Sequence, residues 1–166
     1  MTALDPGPLL RALHQGGVEY IIVGGFAVIA HGYVRQSQDL DIVPEPSPEN
    51  LRRLAATLRS LHARQLDTDD FTAAELPANP LDPEDLARGG NFRLTTDLGF
   101  LDVLQWVSGI DADDLYAVLA PDALAGDFEG IPVRACGLSH LRAMKRAAGR
   151  PRDLDDLEHL GFLDGD

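Results

Sequence analysis

Tyr20-Ile21-Ile22-Val23-Gly24-Gly25-Phe26-Ala27-Val28-Ile29-Ala30-His31, followed by Gln38-Asp39-Leu40-Asp41-Ile42-Val43, is the stretch on which the fold turns. Glu19 to Val23 predicts a strand, the paired glycine interrupts it, and Phe26 to His31 predicts a buried helix closed by Gly32. Asp39 to Val43 predicts a second strand, ended by Pro44, Pro46 and Pro48. Residues two apart in a strand leave the same face, so Asp39 and Asp41 could share a metal ion. Taken alone, the acid pair also fits an edge strand with solvated carboxylates, and Gly24-Gly25 also fits a plain turn. Together they suggest a nucleotide handled through a divalent metal. The glycines lie at a strand-to-helix turn, where backbone N–H groups and the helix dipole favour anions. Their spacing matches neither the dinucleotide fingerprint nor the Walker loop.

Outward from this centre, Leu9, Leu10 and Leu13 predict a short opening helix that ends near Gln15. Ser47-Pro48 supplies an N-cap and a first-turn proline for a helix carrying the stripe Leu51, Leu54, Leu58 and Leu61. Residues 64 to 90, with Asp67, Asp69, Asp70, Pro77, Pro80 and Pro83, predict a long loop with one helical turn at Asp82 to Arg88. Asn91 to Thr95 and Gly99 to Val107 predict two strands joined as a hairpin through Thr96-Asp97-Leu98-Gly99. A helix over Ala112 to Ala120, short strands at Leu124 to Phe128 and Ile131 to Ala135, and helices over Ser139 to Ala148 and beyond Pro151 complete the chain. The alternation of strands and helices, with one hairpin, predicts an α/β (α+β) domain with a mixed sheet.

At 166 residues, 45% apolar and 25% charged, the chain suits one domain over 1–166, with a core at about 18–135 and a helical segment at about 138–163. Cys136 stands alone and reads as a small buried hydrophobe. The first residues lack a basic and apolar leader, and the longest apolar run is too short to span a bilayer. The expectation is therefore a cytoplasmic protein with no membrane partner. A net charge of −13 opposes binding to long duplex DNA. Between Arg134 and Arg152, however, lie Arg134, Arg142, Lys145, Arg146, Arg150 and Arg152 with no acid among them. Such a segment suits a polyphosphate or a short stretch of nucleic acid, or a solvated helix face.

Mg²⁺ takes hard oxygen ligands and one or two carboxylates, and two such ions can activate an attacking oxygen and stabilise a leaving one. Asp102 is the candidate third carboxylate because it interrupts the apolar run Phe100-Leu101-Asp102-Val103-Leu104. A lone carboxylate buried there costs several kcal/mol unless it is paired or metal-bound. The five histidines show no zinc-ligand spacing with Cys136. Trp106 suits the core better than a surface on which a base stacks.

The order Val23-Gly24-Gly25-Phe26-Ala27, thirteen residues, then Asp39-Leu40-Asp41-Ile42 resembles the signature of the polymerase-β-like nucleotidyltransferase superfamily. Arg35-x-Ser37-x-Asp39-x-Asp41 is similar to the version in the AbiEii toxin group and related bacterial nucleotidyltransferase-like proteins. Leu101-Asp102-Val103-Leu104 sits where that family places its third carboxylate. Met144-Lys145-x-x-x-x-Arg150-x-x-Asp153-x-x-Asp156-Leu157 is similar to its C-terminal helical motif. The likeness spans about residues 18 to 43, 91 to 104 and 138 to 160.

It implies a nucleotidyltransferase-like sheet flanked by helices, and transfer of an NMP from an NTP substrate to a hydroxyl acceptor. By the same resemblance Asp39 and Asp41 ligate two Mg²⁺ ions, while Asp102 ligates one of them and helps deprotonate the acceptor. Gly24, Gly25 and Ser37 lie near the triphosphate. Lys145, with Arg150, pairs with its outer phosphates, and Asp153 orients these cations. Many superfamily members carry Gly-Ser at the turn, where Gly25 here offers backbone only. The acceptor class so implied is a tRNA or a protein, with a cognate antitoxin as partner. The alternatives are an aminoglycoside or lincosamide acceptor, or a non-catalytic nucleotide-binding module.

Overall fold

The computed structural model describes residues 3–66, 75–76 and 78–163; Asp67, Asp69, Asp70 and Pro77 of the expected loop lie outside the described residues. Seven strands form one mixed sheet: β1 (Tyr20–Val23), β2 (Asp39–Pro44), β3 (Arg64–Gln65), β4 (Phe92–Thr96), β5 (Gly99–Val103), β6 (Leu124–Phe128) and β7 (Ile131–Ala135). Their order across the sheet is β3-β4-β5-β2-β1-β7-β6. β2 runs antiparallel to β1 but parallel to β5, and β1 runs parallel to β7. The helices are α1 (Gly7–Gln15), α2 (Gly24–Ala30), α3 (Pro48–Ser60), α4 (Pro83–Ala87), α5 (Leu115–Leu119), α6 (Leu138–Ala148) and α7 (Pro151–Leu163). None is long and apolar enough to cross a membrane.

Alternation along the central strands separates core from site. Leu40, Ile42, Leu101 and Val103 are fully buried, while Asp39, Asp41 and Asp102 leave the opposite face half-buried. The apolar stripe of α3 packs Leu51, Leu54 and Leu58 into the same core as Leu9 and Leu13 of α1. Ser47 caps α3 by accepting from the Asn50 N–H at 3.2 Å, as the Ser-Pro pair predicts. Cys136 is fully buried beyond β7, and burial pushes its thiol up to about 12, so it behaves as a core residue rather than a nucleophile.

Four boundaries differ from the sequence reading, each for a local reason. The region expected as loop contains β3, whose Arg64 and Gln65 pair with Thr95 and Leu94. The strand expected to reach Val107 stops at Val103. Leu104 still donates to the Ile42 carbonyl at 2.8 Å, but the next two N–H groups turn to the Asn91 side chain, at 2.8 and 3.3 Å. The helix expected from Ala112 starts only at Leu115, where the Asp114 carboxylate caps it. Gly24 and Gly25 are the first residues of α2, not a linker before it.

Asn50 joins the first helix–sheet layer to the ends of two strands. It is buried; its Oδ1 accepts from Glu19 N–H at 2.7 Å, and its Nδ2 donates to the carbonyls of Glu19 and Glu45, both at 2.8 Å. Asn50→Ala removes all three hydrogen bonds of this buried amide and is expected to cost about 2–4 kcal/mol in urea unfolding. A loss below about 0.5 kcal/mol, the usual scale of a surface substitution, would contradict this account.

Candidate active site

Two registers build the acid cluster. Antiparallel pairing sets Asp41 opposite Val23, next to the start of α2, and parallel pairing sets Asp41 opposite Asp102. With Asp39 two residues away on the same face, one oxygen from each of the three carboxylates lies within 4.8 Å of the other two. Among the described residues this is the group of His, Cys, Asp or Glu side chains arranged to hold a metal ion; the histidines form none.

Burial and this crowding together raise Asp41 and Asp102. Burial pushes Asp41 well above the ordinary carboxylate range, and the charges of Asp39 and Asp102 push it further, with Lys145 pulling partly back. Asp102 is pushed up to about 6, first by burial and then by the Asp39 charge. Asp41 Oδ1 is buried and has no hydrogen-bond partner among the described residues. An orphaned carboxylate oxygen beside two other hard-oxygen donors fits a divalent cation such as Mg²⁺.

The glycine pair is explained by the same acids. Gly24 holds φ +68°, and a Cβ there would lie 2.0 Å from Asp41 Oδ2. A Cβ on Gly25 would lie 2.5 Å from Ser37 Oγ. The backbone can thus pass close to both side chains only because neither position carries one. Ser37 is buried, and its hydroxyl donates to the Asp39 carbonyl at 3.1 Å, fixing the entry of β2.

The cations arrive from the C-terminal helices. Lys145 on α6 is nearly buried, 3.2 Å from Asp153 Oδ1 and 3.0 Å from Asp156 Oδ2, both on α7 and both fully buried. Gly149 at φ +62° and Pro151 turn the chain between these helices. Arg150 follows and donates through Nε to Asp153 Oδ2 at 2.7 Å. Burial opposes the charge on Asp153, but hydrogen bonds from Arg150 and Lys145 outweigh it and hold the carboxyl below its usual range. Arg35, from the loop before β2, pairs with Asp156 at 2.9 and 3.0 Å.

The eight residues expected to hold metal or nucleotide, Gly24, Gly25, Ser37, Asp39, Asp41, Asp102, Lys145 and Arg150, line one cleft of about 440 Å³. Arg152, already part of the basic segment, lines it too, as do Arg35 and Arg93, to which sequence reasoning gave no role. Arg93 was within reach: once the hairpin pairs Thr96 with Gly99, Arg93 falls opposite Asp102. Arg35 stood in the quoted motif, but its partner Asp156 lies across the fold. The basic segment itself divides. Lys145 and Arg150 enter the cleft, whereas Arg134 stacks on Tyr116 and Arg142 donates to the Leu160 carbonyl at 2.7 Å. Trp106 is not core: it is 59% exposed and lines a neighbouring cleft.

No family model and no curated protein matches the sequence. Solved structures do match the fold. The lincosamide antibiotic adenylyltransferase LnuA, with lincomycin bound, aligns with TM-score 0.63 and 12% identity over 98% of this chain and 99% of its own. The antibiotic-resistance factor ANT(2'')-Ia aligns in its solution structure with TM-score 0.57 and 19% identity, over 93% of this chain and 79% of its own. Its complex with adenylyl-2''-tobramycin gives 0.52 and 18%, over 93% and 90%. The chain has the nucleotidyltransferase fold.

Two outcomes test this geometry. Folded-state carboxyls that are raised hold protons more tightly than the unfolded chain, so metal-free stability from this cluster falls as pH rises from about 4 through about 6. In chelator, Asp102→Asn should therefore exceed wild type in melting temperature at pH 7 by a few degrees, on the scale of roughly 2–4 °C per kcal/mol, and the gap should close toward pH 4. A variant less stable than wild type at pH 7 would show that the acids do not repel. Second, Gly24→Ala should destabilise the protein by about 1–3 kcal/mol, and less in the Asp41→Ala background. Additive effects in that double-mutant cycle would place Asp41 away from Gly24.

Proposed function

We propose that this chain is a Mg²⁺-dependent nucleotidyltransferase that moves an NMP from an NTP to a hydroxyl acceptor. The observation that carries the reading is the convergence of Asp39, Asp41 and Asp102 beside Gly24-Gly25, with Lys145 and Arg150 facing them across one cleft. Asp39 and Asp41 would hold two Mg²⁺ ions and Asp102 one of the two. Bound there, the metal supplies charge neutralisation on the phosphates and a lower pKa for the acceptor hydroxyl.

The protein's own groups do the rest. Gly24 and Gly25, which carry no side chain of their own, present backbone N–H groups to the phosphates, and Lys145 and Arg150 place positive charge where pyrophosphate departs. Asp102 takes the proton of the acceptor hydroxyl. The acceptor oxygen then bonds to the α-phosphorus as the bond from that phosphorus to the β-bridging oxygen breaks, and pyrophosphate leaves with the electron pair. Asp153 and Asp156 are positioning residues, since their role is to hold Lys145, Arg150 and Arg35 through ion pairs.

For the acceptor, a small polyhydroxylated molecule is the favoured class. LnuA and ANT(2'')-Ia, named for antibiotic substrates, share the fold over nearly the full chain. A net charge of −13 also disfavours a long polyanion such as tRNA. A tRNA or protein acceptor with an antitoxin partner rests only on the resemblance of Arg35 to Asp41 to the AbiEii version of the motif, and none of the structural neighbours bears on it, so the assay includes both classes.

Incubation with each labelled NTP and Mg²⁺, against a panel of aminoglycosides and lincosamides and against total RNA and protein, is expected to yield one labelled product class. Asp41→Ala should lower that rate at least 10³-fold, on the order of 4 kcal/mol of lost transition-state stabilisation. Equal labelling by wild type and Asp41→Ala, or none with any acceptor, refutes the proposal.

A further inference from the structure

Next to the acid cleft lies a second cleft of about 250 Å³, and Gly24, Asp41, Lys145 and Arg150 line both. Its walls are otherwise largely apolar: Leu104, Trp106 and Val107 after β5, and Leu141 and Met144 on α6. Trp106 is the only tryptophan of the chain and leaves 59% of its surface in water. An indole would ordinarily gain about 1.5–3 kcal/mol from burial, so its exposure needs a reason.

The segment bearing Trp106 is fixed rather than loose. Asn91 Oδ1 accepts from the N–H groups of Gln105 and Trp106, Asn91 Nδ2 donates to the Trp106 carbonyl at 3.1 Å, and Gln105 Nε2 donates to the Gly90 carbonyl at 3.1 Å. A flat apolar face is thereby held in the lining of a cleft that Lys145 and Arg150 also line. That arrangement suits a molecule with one polyanionic end and one planar ring.

We infer that Trp106 is the platform on which the nucleobase of the NTP stacks, with Met144 and Val107 completing an apolar slot. The inference rests on the proposed nucleotidyl transfer and assigns the base end of its donor. Stacking needs only a π-face, and every base has one. Asn91, the amide that could read a base edge, is already engaged in holding Trp106. The slot therefore gives affinity without choosing between purines, and ATP and GTP should depend on Trp106 alike.

The test uses the full chain with Mg²⁺ and non-hydrolysable analogues of ATP and GTP, measured by calorimetry and by the fluorescence of the single tryptophan. Both analogues should quench Trp106, whereas inorganic tripolyphosphate should bind without comparable quenching. Trp106→Leu should weaken both analogues roughly 10- to 100-fold with an unchanged melting temperature, and Trp106→Phe should restore most of the affinity. Wild-type binding and transfer with Trp106→Leu equally tight, or equal quenching by tripolyphosphate, overturns the platform while leaving the transferase reading intact. An absence of NTP binding by wild type removes both.

Discussion

Three carboxylates held within 4.8 Å of one another repel, and the rest of the molecule is arranged around that repulsion. The fold enforces it by register: β2 lies between an antiparallel neighbour that carries the glycine turn and a parallel neighbour that carries Asp102. One residue of slip in either pairing would send an acid into the layer of Leu40, Ile42, Leu101 and Val103, where every side chain is buried. The apolar face therefore holds the acids together against their own electrostatics. Burial makes the conflict worse, which is why Asp41 and Asp102 are both raised. Acids that destabilise the fold holding them are the expected signature of function set against stability.

Compensation comes from the two C-terminal helices. Lys145 is nearly buried, and removing an ammonium from water is unfavourable unless it is paired. Asp153 and Asp156 provide the pairs and share them with Arg150 and Arg35, so that α6, α7 and the loop before β2 are joined through charge as well as packing. Because both aspartates are fully buried, this network fixes where the cations stand. Around it the protein is acidic; the cleft is where five basic side chains, Arg35, Arg93, Lys145, Arg150 and Arg152, gather.

Much of this was legible from local pattern. Alternation around Asp39-x-Asp41, an acid interrupting the Leu101–Leu104 run, the Ser47-Pro48 cap and the Gly149 and Pro151 break each carry their own short-range cause, and each lies in an element of the predicted type, although the strand of Asp102 ends four residues early. What misled was chemistry acting across the fold. Trp106 follows an apolar strand and so resembles a core residue, yet Asn91 draws the chain off the sheet and leaves the indole in solvent. Arg64–Gln65 carries no strand signal of its own and is ordered by its pairing to β4. The basic segment looked uniform in charge, whereas its members face different neighbours, Tyr116 for Arg134 and the acid cleft for Lys145.

By itself the sequence determined which residues could do chemistry and on what elements they ride, since side-chain period, turn residues and caps act within a few positions of the chain. Only the tertiary structure decided that Asp102 meets Asp41, that Gly24 must lack a Cβ because Asp41 occupies its space, and that Arg35 and Lys145 share Asp156. These contacts join residues on different elements, the farthest, Arg35 and Asp156, 121 positions apart. Strand order and register set them, and no local preference encodes either.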